Sequence, residues 1–150
     1  MNAASSVKKV PTRILIIEDN PVDVQIIRYA LQSETDWHIE TAVAVDGEEA
    51  IGYLLNEVVS GTVSRPDLVI LDVTLPKRDG IEILQAIQSS ESLADLTVVV
   101  LSSYPESVVR EKAAQANVAV RYYLSKPSDV DQFAELGKKL REFCATKKIQ

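Results

Sequence analysis

The chain is predicted to be a doubly wound α/β protein, a three-layer α/β/α sandwich with one five-stranded parallel sheet between two layers of helices. Four short runs predict the strands: Ile14-Leu15-Ile16-Ile17, Leu68-Val69-Ile70-Leu71, Val98-Val99-Val100-Leu101 and the more mixed Val118-Ala119-Val120-Arg121-Tyr122-Tyr123-Leu124. Near-continuous Val, Ile and Leu without polar alternation is the pattern of a strand buried on both faces. The segments between them carry apolar residues three and four apart, which is helical spacing.

In chain order, residues 1–11 read as a flexible polar lead, 12–145 as one domain and 146–150 as a tail, with no effector domain attached. The first strand spans about Arg13 to Ile17. A helix follows from Pro21 to about Gln32, capped by Asn20, with proline at the first helical position, where its missing N–H does no harm. His38 to Val45 is the second strand. Asp46 or Gly47 then opens a helix with Ala50, Ile51, Leu54, Leu55 and Val58 on its apolar stripe, and residues 60–66, with Gly61, Ser64 and Pro66, form a linker.

The third strand ends at Asp72. After the breakers Pro76 and Gly80 comes a helix with Ile81, Leu84 and Ile87 on one side. The fourth strand ends at Ser102, Pro105 starts a helix to about Gln115, and the fifth strand ends at Ser125. Ser128 is the expected cap of the last helix, which aligns Phe133, Leu136, Leu140 and Phe143 or Cys144. Right-handed crossovers assemble such an alternation into an open sheet with helices on both faces.

Composition narrows the function. A chain of 150 residues suffices for one core and is too short for two full domains. A net charge of -6, from 16 basic and 22 acidic residues, argues against a nucleic-acid surface, which requires clustered Lys and Arg. The single Cys144 falls at helical spacing and reads as a small core hydrophobe in a reducing, cytoplasmic compartment. No apolar stretch approaches membrane-spanning length, so no membrane partner is expected.

Asp19, Asp72, Ser102 and Lys126 stand at or just past the ends of four predicted strands, with Glu18 beside the first. In open parallel sheets ligands bind outside the carboxyl ends of the strands, so these residues are expected to share one pocket. Two carboxylates about 5 Å apart at an effective dielectric near 20 repel by roughly 3 kcal/mol, so Glu18, Asp19 and Asp72 together call for a cation. Oxygen-only ligands in a partly solvated site suit Mg²⁺. Lys126 adds a point positive charge and Ser102 a hydroxyl, both partners for a phosphoryl group. Asp72, at the end of a central strand, is the candidate nucleophile for an aspartyl-phosphate. Any one of these acids alone is more often a cap or a turn former. Their joint occurrence at strand ends is what points to chemistry.

With Ile16-Ile17-Glu18-Asp19-Asn20, Leu71-Asp72-Val73-Thr74-Leu75-Pro76, Asp79-Gly80, Leu101-Ser102-Ser103 and Tyr123-Leu124-Ser125-Lys126-Pro127, the chain resembles the receiver domain of two-component response regulators. The resemblance implies a flavodoxin-like sheet of order 2-1-3-4-5. It implies Asp72 as phosphoacceptor, and Asp19, Asp72 and the Thr74 carbonyl as Mg²⁺ ligands, with Glu18 holding a metal-bound water. Lys126, Ser102 and the backbone N–H groups of Thr74 and Ser103 are then the groups that bind phosphoryl oxygens. Tyr123 matches the switch aromatic coupled to Ser102, and Thr74 and Tyr104 match positions that tune loss of the phosphate to water.

A bacterial, cytoplasmic phosphorelay protein follows, catalytic toward itself but not a turnover enzyme. Its partners would be a histidine kinase or phosphotransfer protein and a downstream target or a second copy of itself. The long second helix, the linker before Pro66 and the free-standing format resemble the single-domain regulators that serve bacterial phytochrome-type kinases. The resemblance also makes the first helix, with Val22, Val24, Ile26, Ile27, Ala30 and Leu31, the docking surface for the phosphodonor. The fourth helix, fifth strand and fifth helix would be the output face, with Arg110, Glu111, Lys112, Asp131, Glu135 and Lys139 available for intersubunit ion pairs. His38 is expected to be structural.

Two other readings are weaker. Haloacid-dehalogenase-like phosphatases carry a second Asp two residues after the nucleophile, where this chain has Thr74, and a cap segment is lacking. A degenerate receiver used only for binding requires a missing acid or lysine. None is missing.

Overall fold

A computed structural model of the chain describes residues 10–73 and 79–149. The strands are β1 (Thr12–Ile17), β2 (Ile39–Ala44), β3 (Leu68–Asp72), β4 (Val98–Ser102) and β5 (Tyr122–Ser125). They form one parallel sheet of order β2-β1-β3-β4-β5. The helices are α1 (Pro21–Gln32), α2 (Gly47–Ile51) continued as a π-helical segment (Gly52–Val58), α3 (Asp79–Ser89), α4 (Glu106–Gln115) and α5 (Val130–Ile149). The architecture is the predicted flavodoxin-like sandwich.

Alternation along the strands divides the core in two. Ile14, Ile16, Leu68, Ile70, Val99 and Leu101 face one layer with Ile27, Ala30 and Leu31 of α1 and Leu136, Leu140 and Cys144 of α5. Leu15, Ile17, Val69, Leu71, Val98 and Val100 face the other, with Leu54, Ile83, Ile87, Val109 and Ala113. Cys144 is buried within the first of these clusters, as its spacing predicts. Each buried Leu or Ile here stabilises the fold by about 2–5 kcal/mol relative to alanine.

Several local expectations are corrected. The strand expected from Val118 begins only at Tyr122. Asn117, with φ of 60°, turns the chain sharply after α4. The backbone of the next residues is then satisfied by side chains instead of by β4: Gln88 Nε2 donates to the Ala119 carbonyl at 2.6 Å, Ala119 N–H donates to Gln88 Oε1 at 3.1 Å, and Arg110 donates to the Val120 carbonyl. Val118 and Val120 are still buried, which is why they read as strand. Arg110, also paired with Glu106 at 2.7 Å, is thus engaged within the subunit.

The second helix departs from α geometry after Ile51, with Val59 N–H donating to the Leu54 carbonyl at 3.2 Å. Bonds five residues apart widen each turn to more than four residues. Ala50, Leu54 and Val58, spaced by four, therefore stay buried in line, while Leu55 turns outward. At the start of α5 the cap is Asp129, whose Oδ1 accepts from Gln132 N–H at 3.0 Å. Ser128 instead donates its backbone N–H to Gln132 Oε1 at 2.7 Å, a reciprocal pair close to a capping box. The helix then runs to Ile149, through the stretch read as a tail, because Ala145-Thr146-Lys147-Lys148 contains no breaker.

Candidate functional site

Each strand delivers its site residue through a backbone bond made at its carboxyl end. Glu18 N–H donates to Ala44 C=O at 3.0 Å, Val73 N–H to Leu101 C=O at 3.2 Å, and Lys126 N–H to Ser102 C=O at 2.8 Å. Residues more than a hundred positions apart are held at one rim. Helix α1 starts at once beyond Asp19, because Asn20 Oδ1 accepts from Val22 N–H at 2.8 Å and Pro21 occupies the first turn. On the far side α3 packs so closely that a Cβ on Gly80 would lie 3.1 Å from the Asp72 carbonyl oxygen.

Glu18, Asp19 and Asp72 each offer a carboxylate oxygen, and these oxygens lie within 4.8 Å of one another. Glu18 is buried, Asp72 half-buried and Asp19 exposed. Into the cluster projects Lys126, whose Nζ donates to Asp23 Oδ2 at 2.7 Å and to Asp72 Oδ2 at 2.9 Å, and lies 3.3 Å from Glu18 Oε2. Burial alone would push the Lys126 ammonium down, but its bonds to Asp23 and Asp72 and the charges of Asp72 and Glu18 outweigh it and raise it above the usual lysine range. The lysine is a fixed cation.

The Glu18 carboxyl is pushed up to about 7, first by burial and then by sharing a proton with Asp72 and by that residue's charge, against the opposing pull of Asn20 N–H and Lys126. As a neutral acid it can donate to Asp72. As an anion, its Oε1 accepts from Asn20 N–H at 3.0 Å while its buried Oε2 has no hydrogen-bond donor, Lys126 supplying charge but no bond. A buried carboxylate oxygen without a donor, beside two further carboxylates, fits a hard divalent cation with oxygen ligands.

The hydroxyl and aromatic residues lie on the other face of the sheet. Ser102 is fully buried and its Oγ accepts from Tyr104 N–H at 3.0 Å. Ser103, next to it, is exposed. Tyr123 follows the alternation into the layer of α4, and its hydroxyl donates to the Tyr104 carbonyl, whereas Tyr122 packs on Phe143 of α5 with ring centroids 4.8 Å apart. Thr74, expected to contribute a metal-binding carbonyl and a phosphoryl-binding N–H, lies outside the described residues.

Sequence reasoning brought together Glu18, Asp19, Asp72, Ser102 and Lys126, and the structure places them at one rim. It missed Asp23. A lone Asp in the first turn of a helix reads as a partner for the helix dipole, and only the position of Lys126, 103 residues on, reveals the contact. Elsewhere, His38 is exposed, with its carbonyl accepting from Thr12 N–H at 2.9 Å. On α1, Val24, Ile27, Ala30 and Leu31 are buried while Val22 and Tyr29 are exposed, Tyr29 standing edge-on to Phe133 of α5. Among the described residues no helix is long and apolar enough to cross a membrane.

Comparisons with known proteins agree with this geometry. A family model described as response regulator receiver domain matches residues 14–137. The response regulator Rcp1 of Synechocystis sp. is 31% identical over 89% of this chain and 88% of its own length. Among solved structures, the phosphorylated cyanobacterial phytochrome response regulator RcpA is 33% identical with a TM-score of 0.76, covering 92% of this chain and 96% of that one. The Mn²⁺-bound form of Rcp1 is 27% identical with a TM-score of 0.72, covering 89% of this chain and 94% of that one. Match and geometry together place this chain in the response regulator receiver domain family, the phosphoryl-accepting signalling modules of two-component systems.

Proposed function

We propose that Asp72 is the phosphoacceptor and that the chain is a cytoplasmic receiver serving a phytochrome-type histidine kinase. In the transfer an Asp72 carboxylate oxygen attacks the phosphorus of a phosphohistidine, the N–P bond breaks as the O–P bond forms, and the electron pair returns to the imidazole. The observation that carries the reading is the convergence of three carboxylates, a buried hydroxyl residue and a lysine at one sheet edge, with Lys126 2.9 Å from Asp72.

Glu18, Asp19 and Asp72 would hold Mg²⁺, with the Thr74 carbonyl as a further ligand. The ion, when bound, offsets negative charge on the acceptor and the incoming phosphoryl group. Lys126 binds a phosphoryl oxygen, and Ser102 with the N–H groups of Thr74 and Ser103 takes the others. Since Ser102 and Tyr123 meet at Tyr104, movement of Ser102 toward the phosphate frees Tyr123 to turn inward. That repacks the face of α4, β5 and α5, where the downstream protein or a second copy docks. The exposed Val22 and Tyr29 of α1 lie on the helix that follows Asp19 and suit docking of the kinase or phosphotransfer domain.

The phytochrome assignment is supported by the likeness of this chain to RcpA, a cyanobacterial phytochrome response regulator, and to the bacteriophytochrome response regulator AtBRR, 32% identical with a TM-score of 0.67. The chain promotes its own modification and hydrolysis and turns over no separate substrate. Incubation with acetyl phosphate and Mg²⁺ is expected to add one phosphoryl group, read by intact mass, and Asp72→Asn to abolish it. The same adduct on the variant would refute the assignment.

A further inference from the structure

The third contact of Lys126 has no place in the reaction so far. Asp23 Oδ2 makes the shortest of the three approaches to the ammonium, 2.7 Å against 2.9 Å for Asp72 and 3.3 Å for Glu18. Its side chain is largely enclosed, with 26% of its surface exposed, and Lys126 with 16% is more enclosed still. An ion pair so sheltered is screened far less by salt than a surface pair. Nor does Asp23 belong to the group of carboxylates whose oxygens converge, which comprises Glu18, Asp19 and Asp72. It reaches the lysine from the first turn of α1.

We propose that Asp23 is a positioning residue that draws the Lys126 ammonium toward α1 in the unmodified protein and competes with phosphoryl oxygens for it. The inference rests on the reading of Asp72 and Lys126 above. An ammonium has three protons in all. Two are committed to Asp23 and Asp72. When Asp72 is modified its carboxylate oxygen is lost as a partner, and the incoming group then contends with Asp23 alone. That competition makes Asp23 a brake on modification.

The test times modification by acetyl phosphate in saturating Mg²⁺, with peptide mapping of the adduct. Asp23→Asn, which keeps shape and removes charge, is expected to accelerate labelling of Asp72 about threefold to tenfold, in line with loss of one charge-assisted hydrogen bond. Asp23→Glu, restoring the carboxylate, is expected to return most of that gain. In a Lys126→Ala background the Asn substitution is expected to change the rate by less than about twofold, since the competition acts through the lysine. A second readout needs neither metal nor donor: NMR of the lysine ammonium groups, where the slowly exchanging Lys126 signal of the parent exchanges several-fold faster in Asp23→Asn. An unchanged or slower rate, an equal acceleration without Lys126, or an unaltered ammonium signal overturns the proposal. Labelling away from Asp72 in parent and variant alike would instead overturn the phosphoacceptor reading.

Discussion

On one face of the sheet α1 and α5 approach so closely that a Cβ on Gly137 would collide with the carbonyl group of Ala30. On the other, a Cβ on Gly52 in the π-helical segment would meet nothing nearer than Asn56 Nδ2 at 4.0 Å. The first layer is close-packed through small residues. The second contains the π-helical turns, the delayed start of β5 and the backbone groups satisfied by Gln88 and Arg110. Strand alternation assigns the charged half of the site, Glu18, Asp72 and Lys126, to the side of α1 and α5, and Ser102 and Tyr123 to the side that holds the π-helical turns. Gly80 of α3, in the second layer, is also closely enclosed, a Cβ there lying 2.9 Å from Val73, so the irregularity is local to the π-helical turns and the approach to β5.

The same substitution at Gly137 and at Gly52 should therefore differ in sign. Gly137→Ala is expected to destabilise by about 3 kcal/mol, because overpacking against a backbone carbonyl forces two helices apart; urea denaturation measures it, and a neutral result would mean that the contact between α1 and α5 yields easily.

The charged half carries a pH signature of nearly the same size. Because burial and Asp72 raise the folded-state value of Glu18 from 4.5 to about 7, the folded protein binds more protons than the unfolded chain between those limits. Stability of the metal-free protein is then highest below pH 4.5 as far as this group is concerned, and is lost as pH rises through about 7, by at most about 3 kcal/mol. Thermal melts at pH 5 and pH 8 should show a smaller fall in Glu18→Gln than in the parent, and equal falls would remove Glu18 as the cause.

On the side of Ser102, Tyr123→Phe removes one hydrogen bond to the Tyr104 carbonyl and should reduce stability by only about 1 kcal/mol while altering any modification-dependent association. The smallest effect is expected at Gly52→Ala, a gain of up to about 1 kcal/mol, since its φ of -59° is already helical and the added methyl has room. A loss there would show the π-helical turns to be as tightly constrained as α5.

The contrast between layers also explains what the sequence could disclose. Strands β1, β3 and β4 were legible because burial on both faces imposes unbroken Val, Ile and Leu, and the acids followed from their place at the strand ends. The widened turns after Gly52 were not, since Ala50, Leu54 and Val58 satisfy α-helical spacing as well. Val118 and Val120 read as strand because burial and pairing leave the same composition, though here side chains from α3 and α4 take the backbone bonds. Asp23 escaped because its partner is distant in sequence. Pairwise contact between helix and loop leaves no local periodicity.

The outer strand β5 is four residues long and is soon followed by Pro127. So brief a row of outward amides is a poor template for adding a foreign strand, and the proline cannot lengthen it by donating a further hydrogen bond. Fibrillar stacking is thereby discouraged at that rim.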